Sequence, residues 1–209
     1  LAAAFERFSA GLPPEQVRLA QNFPDPTIWY YYAGPVAHIV LPPAANDAPG
    51  AAEVVAGLAA DGVTRVILPV QPAAWWDGSG IAPASLAQKY TLTGQAPVGV
   101  WPLEIYSRAP ALLQPLAVEF VNGVRLTGAT VEPEKIIPNG LLVVYLRWDE
   151  QRADLHGGEK VFVHLLESTG QIIGQVDMPF PVGTEGAVAY GILLPENTFS
   201  GPYRLIVGL

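Results

Sequence analysis

The chain has 209 residues, half of them hydrophobic, and its 21 Gly and 21 Pro beside 14% charged residues indicate short strands and turns, not intrinsic disorder. The formal net charge is −8 and the lysines and arginines form no cluster, so we expect neither nucleic acid nor an anionic membrane surface as a partner. The chain has no cysteine, which excludes disulfides and cysteine-ligated metals, and no apolar run approaches the roughly 18–20 residues that span a bilayer.

The first half, residues 1–110, is predicted to alternate short helices and strands. Asp25 can cap a helix, and Pro26 suits its first turn, where the missing N–H costs no hydrogen bond. An apolar run that stops at Pro42-Pro43 is predicted to be a buried strand. The elements predicted up to that point are a helix over Ala2–Ser9, a strand over 16–22, a helix over 27–33 and a strand over 36–41.

The clearest helix is predicted over residues 51–60, ended by Asp61-Gly62. A strand over 63–70 follows it, so strand, helix and strand form a predicted right-handed βαβ unit. A helix over 83–90 and a pair of strands over 90–98 and 100–109 complete a small Rossmann-like α/β domain with a mostly parallel sheet. The glycines form neither G-x-G-x-x-G nor a P-loop, so we expect no nucleotide and no cofactor.

The candidate binding residues follow the predicted strands of this half. Ligands of open α/β sheets collect beyond the carboxyl ends of the strands. Aromatic rings there can stack on the apolar face of a sugar or lipid headgroup while carboxylates accept hydroxyl hydrogen bonds. The alternative is that the tryptophan pair packs at the sheet end, that Asp77 starts a turn and that the aromatic run 29–32 fills a core or an interface. The candidates are Asn22, Asp25, Trp29, Trp75, Trp76 and Asp77.

The second half, residues 111–209, changes to a period of two after a linker bracketed by Pro110 and Pro115. Asn122-Gly123 is a strong hairpin signal between two apolar runs. In residues 141–148, one face carries alternating apolar side chains. Together the runs predict an antiparallel β-sandwich of jelly-roll or immunoglobulin-like type without a helix. The predicted strands are 116–121, 124–131, 141–148, the two arms of a hairpin over 160–177, 187–194 and 203–209.

The hairpin over 160–177 has the sequence Ser-Thr-Gly at its tip, and its ends are aligned if Glu167 faces Gln171. This register predicts a shared inward face formed by Phe162, His164, Leu166, Ile172, Gly174 and Val176. His164 is then interpreted as a hydrogen-bonded core histidine, with a ligand or proton-transfer role as the alternative.

No pattern in the chain identifies a catalytic or metal site. The three histidines lack H-x-H and H-E-x-x-H spacing, and Ser79 lacks the G-x-S-x-G elbow. The acids are numerous, yet no spacing selects the carboxylate pair that a glycosidase needs. The acidic loop 149–159 is interpreted as solvated, with Ca²⁺ binding as the alternative.

Two regions carry a resemblance to a known family. Residues 21–32 (QNFPDPTIWYYY) and the βαβ unit after them resemble the soluble extracytoplasmic tail of polytopic membrane glycosyltransferases of the dolichyl-phosphate-mannose protein mannosyltransferase-like (GT-C) group. Residues 161–177 with 201–209 (GPYRLIVGL) are similar to a β-sandwich module appended to such tails.

The resemblance implies a non-catalytic region on the extracytoplasmic face of a membrane, attached to a parent membrane domain. It implies a sugar acceptor or a polyprenyl-phosphate-sugar donor as ligand. The family's catalytic acid lies in a loop that nothing here matches, so no catalytic residue is carried over. The chain begins without Met and ends inside a predicted strand, so we expect it to be cut from a longer polypeptide.

Two other classes of protein remain open from the residues alone. One is a structural or protein-interaction β-sandwich module of a cell-surface protein, which an exposed apolar patch on a sheet would favour. The other is a free-standing secreted hydrolase, which requires a cleft with paired carboxylates or a Ser-His contact.

Overall fold

A computed structural model describes residues 1–99, 101–150, 155, 157–184, 186–199 and 201–209. Within these residues the chain is mostly β, with twelve strands in three sheets and four short α-helices. It divides into two compact units, Leu1–Pro110 and Ala111–Leu209. Of the helices in the described part, none is long and apolar enough to cross a membrane.

The first unit forms a five-stranded sheet in the order β2-β1-β3-β5-β4. The two pairings of β1, with β2 and with β3, are parallel, while β5 pairs antiparallel with both β3 and β4. Its elements are α1 (Ala2–Ser9), β1 (Val17–Gln21), α2 (Pro26–Tyr31), β2 (Ala37–Val40), α3 (Ala48–Ala60), β3 (Arg65–Pro69), α4 (Ile81–Leu86), β4 (Thr91–Val98) and β5 (Trp101–Ser107).

The prediction of a mostly parallel sheet was wrong for the β4 and β5 side. The link between these strands is too short for the crossover that parallel strands need, so they form a hairpin. Gly99 lies in this link with a φ of 65°, a conformation that glycine adopts without a steric penalty. The sheet is therefore mixed: β2, β1, β3 and β4 run in one direction, and β5, between β3 and β4, runs in the opposite one.

Side-chain caps fix where two helices of this unit begin. The Asp25 carboxylate accepts a hydrogen bond from the Thr27 N–H at 2.8 Å, which confirms it as the cap of α2. The Asp47 carboxylate accepts from the Gly50 N–H at 2.9 Å, so α3 begins three residues before the predicted start. The buried residues of α3 are Ala51, Val55 and Leu58, which lie on one face of the helix.

Helices cover both faces of the first sheet. On one face, α3 and α4 share a buried cluster with Val66 and Leu68 of β3. Successive side chains of a strand point to opposite faces, so Arg65 and Ile67 lie on the other side. There the guanidinium of Arg65 donates to the carbonyl oxygen of Phe8 in α1 at 3.1 Å, and Arg65 is 1% exposed. The central strand β3 is thus buried on both sides.

The second unit contains two antiparallel sheets, with strand orders β11-β8-β7-β6 and β10-β9-β12. Alternate residues of β8 and of β9, one strand from each sheet, contribute to one buried apolar cluster. The predicted apolar face of β8 is confirmed, because Leu142, Val144 and Leu146 all belong to this cluster. Its strands are β6 (Gln114–Glu119), β7 (Arg125–Glu132), β8 (Leu141–Asp149), β9 (Lys160–Leu166), β10 (Ile172–Pro179), β11 (Ala187–Leu193) and β12 (Arg204–Gly208).

The hairpin between β9 and β10 is confirmed, and its last backbone hydrogen bond runs from the Glu167 N–H to the Gln171 carbonyl at 3.0 Å. A β-bulge between Ile172 and Gly174 then shifts the register by one residue. Successive side chains of a strand point to opposite faces of the sheet. One extra residue in β10 therefore changes which side chains of β9 lie on the same face as a given side chain of β10.

This bulge makes the predicted inward face of β9 wrong. Val163 and Leu165 point into the core and are 0% and 3% exposed, whereas His164 points away from it. His164 Nε2 lies 3.4 Å from a carboxylate oxygen of Asp177, and the side chain of His164 is 25% exposed. His164 is therefore not a core histidine. The same reversal moves Phe162 and Leu166 to the outer face beside His164.

Candidate functional site

Two polar residues meet where neighbouring parallel strands end. Asn22 directly follows β1, and Gln71 lies two residues after β3. The strands are parallel neighbours, with Leu19 opposite Ile67, so both polar residues lie at the same edge of the sheet. After β1 the chain continues to β2, on one side of β1. After β3, which lies on the other side of β1, the chain continues away from β1 to β4 and β5. Connections that diverge in this way leave room for a ligand at the strand ends.

Asn22 joins this edge to the loop that carries Asp77. Its amide nitrogen donates to the Gln71 carbonyl at 2.7 Å and to an Asp77 carboxylate oxygen at 3.3 Å. Its amide oxygen accepts from the Gln71 N–H at 3.3 Å. The other oxygen of Asp77 accepts from the Ala82 N–H at 2.9 Å in the first turn of α4. Asn22 and Asp77 thus hold two loops together, and Asp77 also starts a turn.

Asp25 belongs to the same network through Gln71. One carboxylate oxygen accepts from the Thr27 N–H, and the other accepts from the Gln71 side-chain amide at 3.3 Å. Burial is the largest single influence on this carboxyl and favours its neutral form. The hydrogen bonds from Thr27 and Gln71 together outweigh burial and lower the pKa of Asp25 from its usual value. Asp25 therefore carries a negative charge at neutral pH.

Two glutamines complete the network, and the sequence analysis missed both. Gln21 accepts from the Asp25 N–H at 3.0 Å, and it is 1% exposed. The amide nitrogen of Gln21 and the amide oxygen of Gln71 are buried and have no hydrogen-bond partner among the described residues. Such groups are rare in folded proteins. The available sequence signal is a glutamine placed at or just after the end of a buried strand.

Trp75 supplies an exposed aromatic surface close to Asp77. It is 63% exposed, and its ring contacts Phe23 and Trp76 with centroid distances of 5.7 Å each. Trp76 has a structural role, because its indole N–H donates to the Pro42 carbonyl at 2.9 Å. The two tryptophans therefore differ: one is anchored and the other presents its ring to solvent.

Asn46 holds the segment that carries these tryptophans. Its backbone N–H donates to the Trp76 carbonyl at 2.6 Å, and its side-chain oxygen accepts from the Gly78 N–H at 2.8 Å. Its side-chain nitrogen lies 3.4 Å from the Trp75 carbonyl. These three bonds fix the backbone on both sides of Asp77, and the exposed ring of Trp75 is positioned with it.

Trp29 lies on α2 and is 48% exposed. The first three residues of the aromatic run 29–32 do not fill a core, since Tyr30 and Tyr31 are also exposed, at 81% and 70%; that they fill an interface stays a prediction. Within this six-residue helix only Ile28 is buried, and Tyr32, which follows the helix as its C-cap residue, is buried as well. No described contact joins Trp29 to the other candidates.

Several polar groups and one aromatic ring come together at this edge. It combines two carboxylates, two amides with a free donor and a free acceptor, and an exposed indole. Among the described residues, no group of three His, Asp or Glu side chains is arranged to hold a metal ion. Residues 151–154 and His156 of the acidic loop interpreted above lie outside the described residues. Comparisons with protein-family models, curated proteins and solved structures found no match to this chain.

Proposed function

We propose that the chain is a non-catalytic extracytoplasmic region of a membrane glycosyltransferase, in which the first unit binds carbohydrate. The proposal takes the first unit as a Rossmann-like domain and the second as a jelly-roll or immunoglobulin-like sandwich beside a parent membrane domain. The resemblance of residues 21–32 and of the second unit to GT-C glycosyltransferase tails supports it. The observation that carries it is the exposed ring of Trp75 next to the buried network of Asn22, Gln71 and Asp77.

The chemistry of the network favours the sugar acceptor over the lipid-linked donor. An indole stacks well on the apolar face of a pyranose, and the adjacent loops carry polar groups that can fix its orientation. Asp25 and Asp77 bring two carboxylates to this edge, while none of the residues that form the network is basic. A phosphate would meet repulsion there, so a neutral sugar is the ligand that we propose.

The test is a calorimetric titration of the 209-residue chain with neutral oligosaccharides and, separately, with a soluble polyprenyl-phosphate analogue. We expect a neutral oligosaccharide to bind and Trp75→Ala to weaken that binding by about tenfold or more, which corresponds to about 1.4 kcal/mol. Trp101→Ala is the matched control, because Trp101 is also exposed but lies on β5. It should leave the affinity unchanged.

Three results would contradict the proposal. One is the absence of binding to every oligosaccharide by the unsubstituted chain. Another is an affinity that Trp75→Ala leaves unchanged. The third is equal weakening by Trp75→Ala and Trp101→Ala, which would indicate a general effect of removing an indole. Binding of the polyprenyl-phosphate analogue alone would reject the neutral sugar and assign the site to the donor.

A second candidate function is a protein-interaction module, and β6 is the observation that favours it. All six residues of β6 are exposed, including Leu116 at 41% and Val118 at 45%. An edge strand with exposed apolar side chains is a common site of association with another chain. This function is compatible with the first, because β6 belongs to the second unit.

A further inference from the structure

The helix α2 presents three consecutive aromatic side chains to solvent. Trp29, Tyr30 and Tyr31 are all exposed, and the two tyrosines are exposed over most of their surface. The rings of Tyr30 and Tyr31 contact each other edge to face, with their centroids 5.0 Å apart. A contiguous patch of exposed apolar side chains often marks a binding surface. We call the surface formed by these three residues the α2 aromatic surface.

The opposite side of α2 holds this surface in place. The Asp25 carboxylate caps the first turn, and Ile28 is buried within the helix. The ring of Tyr32, which follows the helix, contacts the ring of Phe5 at a centroid distance of 5.7 Å and that of His38 at 5.3 Å. The three exposed rings are therefore carried by an anchored helix, so less conformational entropy is lost when they bind.

Each side chain of the α2 aromatic surface joins an apolar ring to one polar group. Among the hydrogen bonds of the described residues, none uses the indole N–H of Trp29 or the hydroxyls of Tyr30 and Tyr31. By contrast, the Trp76 indole and the Tyr90 hydroxyl donate to backbone carbonyls of the first unit. Exposed Trp and Tyr side chains suit a boundary between hydrocarbon and water, because the ring is apolar and its polar group can bond to water or to a lipid oxygen.

Charge indicates the kind of boundary that this surface fits. Residues 26–46 contain no Asp, Glu, Lys or Arg, although the net charge of the chain is −8. Burial lowers the pKa of His38, which is therefore neutral at neutral pH. The neighbouring helix α1 adds one charge of each sign, Glu6 and Arg7, and the Asp25 carboxylate before α2 is negative. Such a surface suits neutral lipid headgroups and disfavours anionic ones.

We propose that the α2 aromatic surface inserts into the headgroup region of a zwitterionic phospholipid bilayer. The three rings then lie at the depth where the hydrocarbon begins, and the indole N–H and both hydroxyls donate to lipid oxygens. Three side chains on a six-residue helix bury little apolar area, so the contact is reversible. The proposal goes beyond carbohydrate binding, since it uses neither Trp75 nor the network of Asn22, Gln71 and Asp77, and it is tested separately.

A protein partner fits these observations less well. Protein interfaces surround their apolar centre with a polar and charged rim, and residues 26–46 supply no charge for such a rim. A second copy of this chain would bury the same rings across a two-fold axis, which the oligomeric state would reveal.

The first test is a titration of the 209-residue chain with phosphatidylcholine vesicles, followed by tryptophan fluorescence. A single acyl chain binds a bilayer with a constant of about 10⁴ M⁻¹, so we expect reversible binding between about 10² and 10⁴ M⁻¹. Replacing part of the lipid with anionic phosphatidylglycerol should not strengthen the binding. A constant below this range for phosphatidylcholine, or clearly tighter binding to the anionic vesicles, would overturn the proposal.

The double variant Tyr30→Ser/Tyr31→Ser tests whether the exposed rings are responsible. It removes two rings and should weaken vesicle binding by about tenfold or more. Phe199→Ser is the matched control, because Phe199 is an exposed aromatic residue of the second unit, and it should leave the binding unchanged. Unchanged thermal unfolding verifies that both variants are folded. Equal weakening by both variants would indicate general adhesion and contradict the proposal.

Quenching by brominated phosphatidylcholine locates the indole that enters the bilayer. Trp29→Phe keeps an aromatic ring but should remove most of the quenching. Trp101→Phe, at an exposed residue of β5, should retain it. Quenching that survives Trp29→Phe, or that is lost in Trp101→Phe, would place a different surface on the bilayer. Dimerisation without lipid that Tyr30→Ser/Tyr31→Ser abolishes would also reject the bilayer and assign the rings to a second copy.

Discussion

Asn22 and Asp77 are 55 residues apart in the chain, and a hydrogen bond of 3.3 Å joins the side-chain amide of Asn22 to a carboxylate oxygen of Asp77. Both side chains are buried, at 2% and 8% exposure. The bond connects the residue after β1 with the segment before α4. The stability of the first unit and the shape of its carboxyl edge therefore depend on the same pair.

Asp77→Asn is predicted to destabilise the first unit. One oxygen of the carboxylate accepts from Ala82 and the other accepts from Asn22, so an amide at this position must turn its N–H₂ group toward one of two donors. A buried donor that loses its acceptor costs about 1–3 kcal/mol. Urea unfolding followed by circular dichroism would measure this loss. Asp61→Asn, at the exposed end of α3, is the control, and an equal loss in both variants would contradict the prediction.

Asp25→Asn should change how the free energy of unfolding depends on pH in the acidic range. Hydrogen bonds lower the pKa of Asp25 in the folded chain below its value in the unfolded chain. The charged carboxylate therefore stabilises the folded chain at pH values above the unfolded pKa. This stabilisation is lost as the pH falls through the lower pKa of the folded chain. The unsubstituted chain should be more stable than Asp25→Asn at neutral pH. The difference should shrink below about pH 4. Urea midpoints measured from pH 3 to pH 7 would check this, and a difference independent of pH would contradict it.

Tyr90→Phe tests how a buried hydroxyl group contributes to stability at neutral and alkaline pH. The Tyr90 hydroxyl donates to the Val63 carbonyl at 3.1 Å, and burial raises the pKa of Tyr90 to about 12, with Arg108 and Arg18 opposing the shift. The neutral form therefore favours folding below about pH 10, and this contribution is lost as the pH rises toward 12. The variant should lose about 1 kcal/mol at neutral pH. It should also show a weaker alkaline decline in urea midpoint.

Tyr30→Phe is the matched control for the alkaline experiment, since the Tyr30 side chain is 81% exposed. It should reproduce the unsubstituted chain at both neutral and alkaline pH. If Tyr90→Phe shows the same alkaline decline as this control, the buried hydroxyl does not contribute as argued.

Two glycine substitutions should have effects of opposite sign. A Cβ at Gly174, in the bulge of β10, would overlap Ile192 of the facing sheet, so Gly174→Ala should destabilise the second unit by about 1–3 kcal/mol. A Cβ at Gly57, inside α3, would meet no atom within 4 Å, so Gly57→Ala should stabilise by about 0.5–1 kcal/mol. Thermal unfolding would measure both, and effects of the same sign would contradict the argument.

The strands of the second unit are predictable because each carries its own pattern. In β8, alternate apolar residues mark one face whatever the strand's neighbours are, and Leu142, Val144 and Leu146 are buried as this pattern predicts. The bulge at Gly174 has no such local signature. It lies where β10 meets Ile192 of the facing sheet, and it sets which residues of β9 share a face with those of β10.

The candidate site is predictable only in part for the same reason. Asn22 and Asp77 follow strands and are recognisable as polar residues at strand ends. Gln71 connects them only because β1 and β3 are neighbours, and the strand order is set by the packing of the whole sheet. Gln21 lies at the end of β1 and reads as a strand residue, so its role in positioning Asp25 is visible only in three dimensions.

The buried guanidinium of Arg65 makes the first helix indispensable to the first unit. The carbonyl oxygen that it bonds belongs to Phe8, and the neighbouring side chains of Phe5 and Phe8 are each 1% exposed. A version of the protein trimmed to begin at Pro14 would remove this carbonyl oxygen together with the two buried phenylalanine side chains. Such a shortened protein should aggregate when produced.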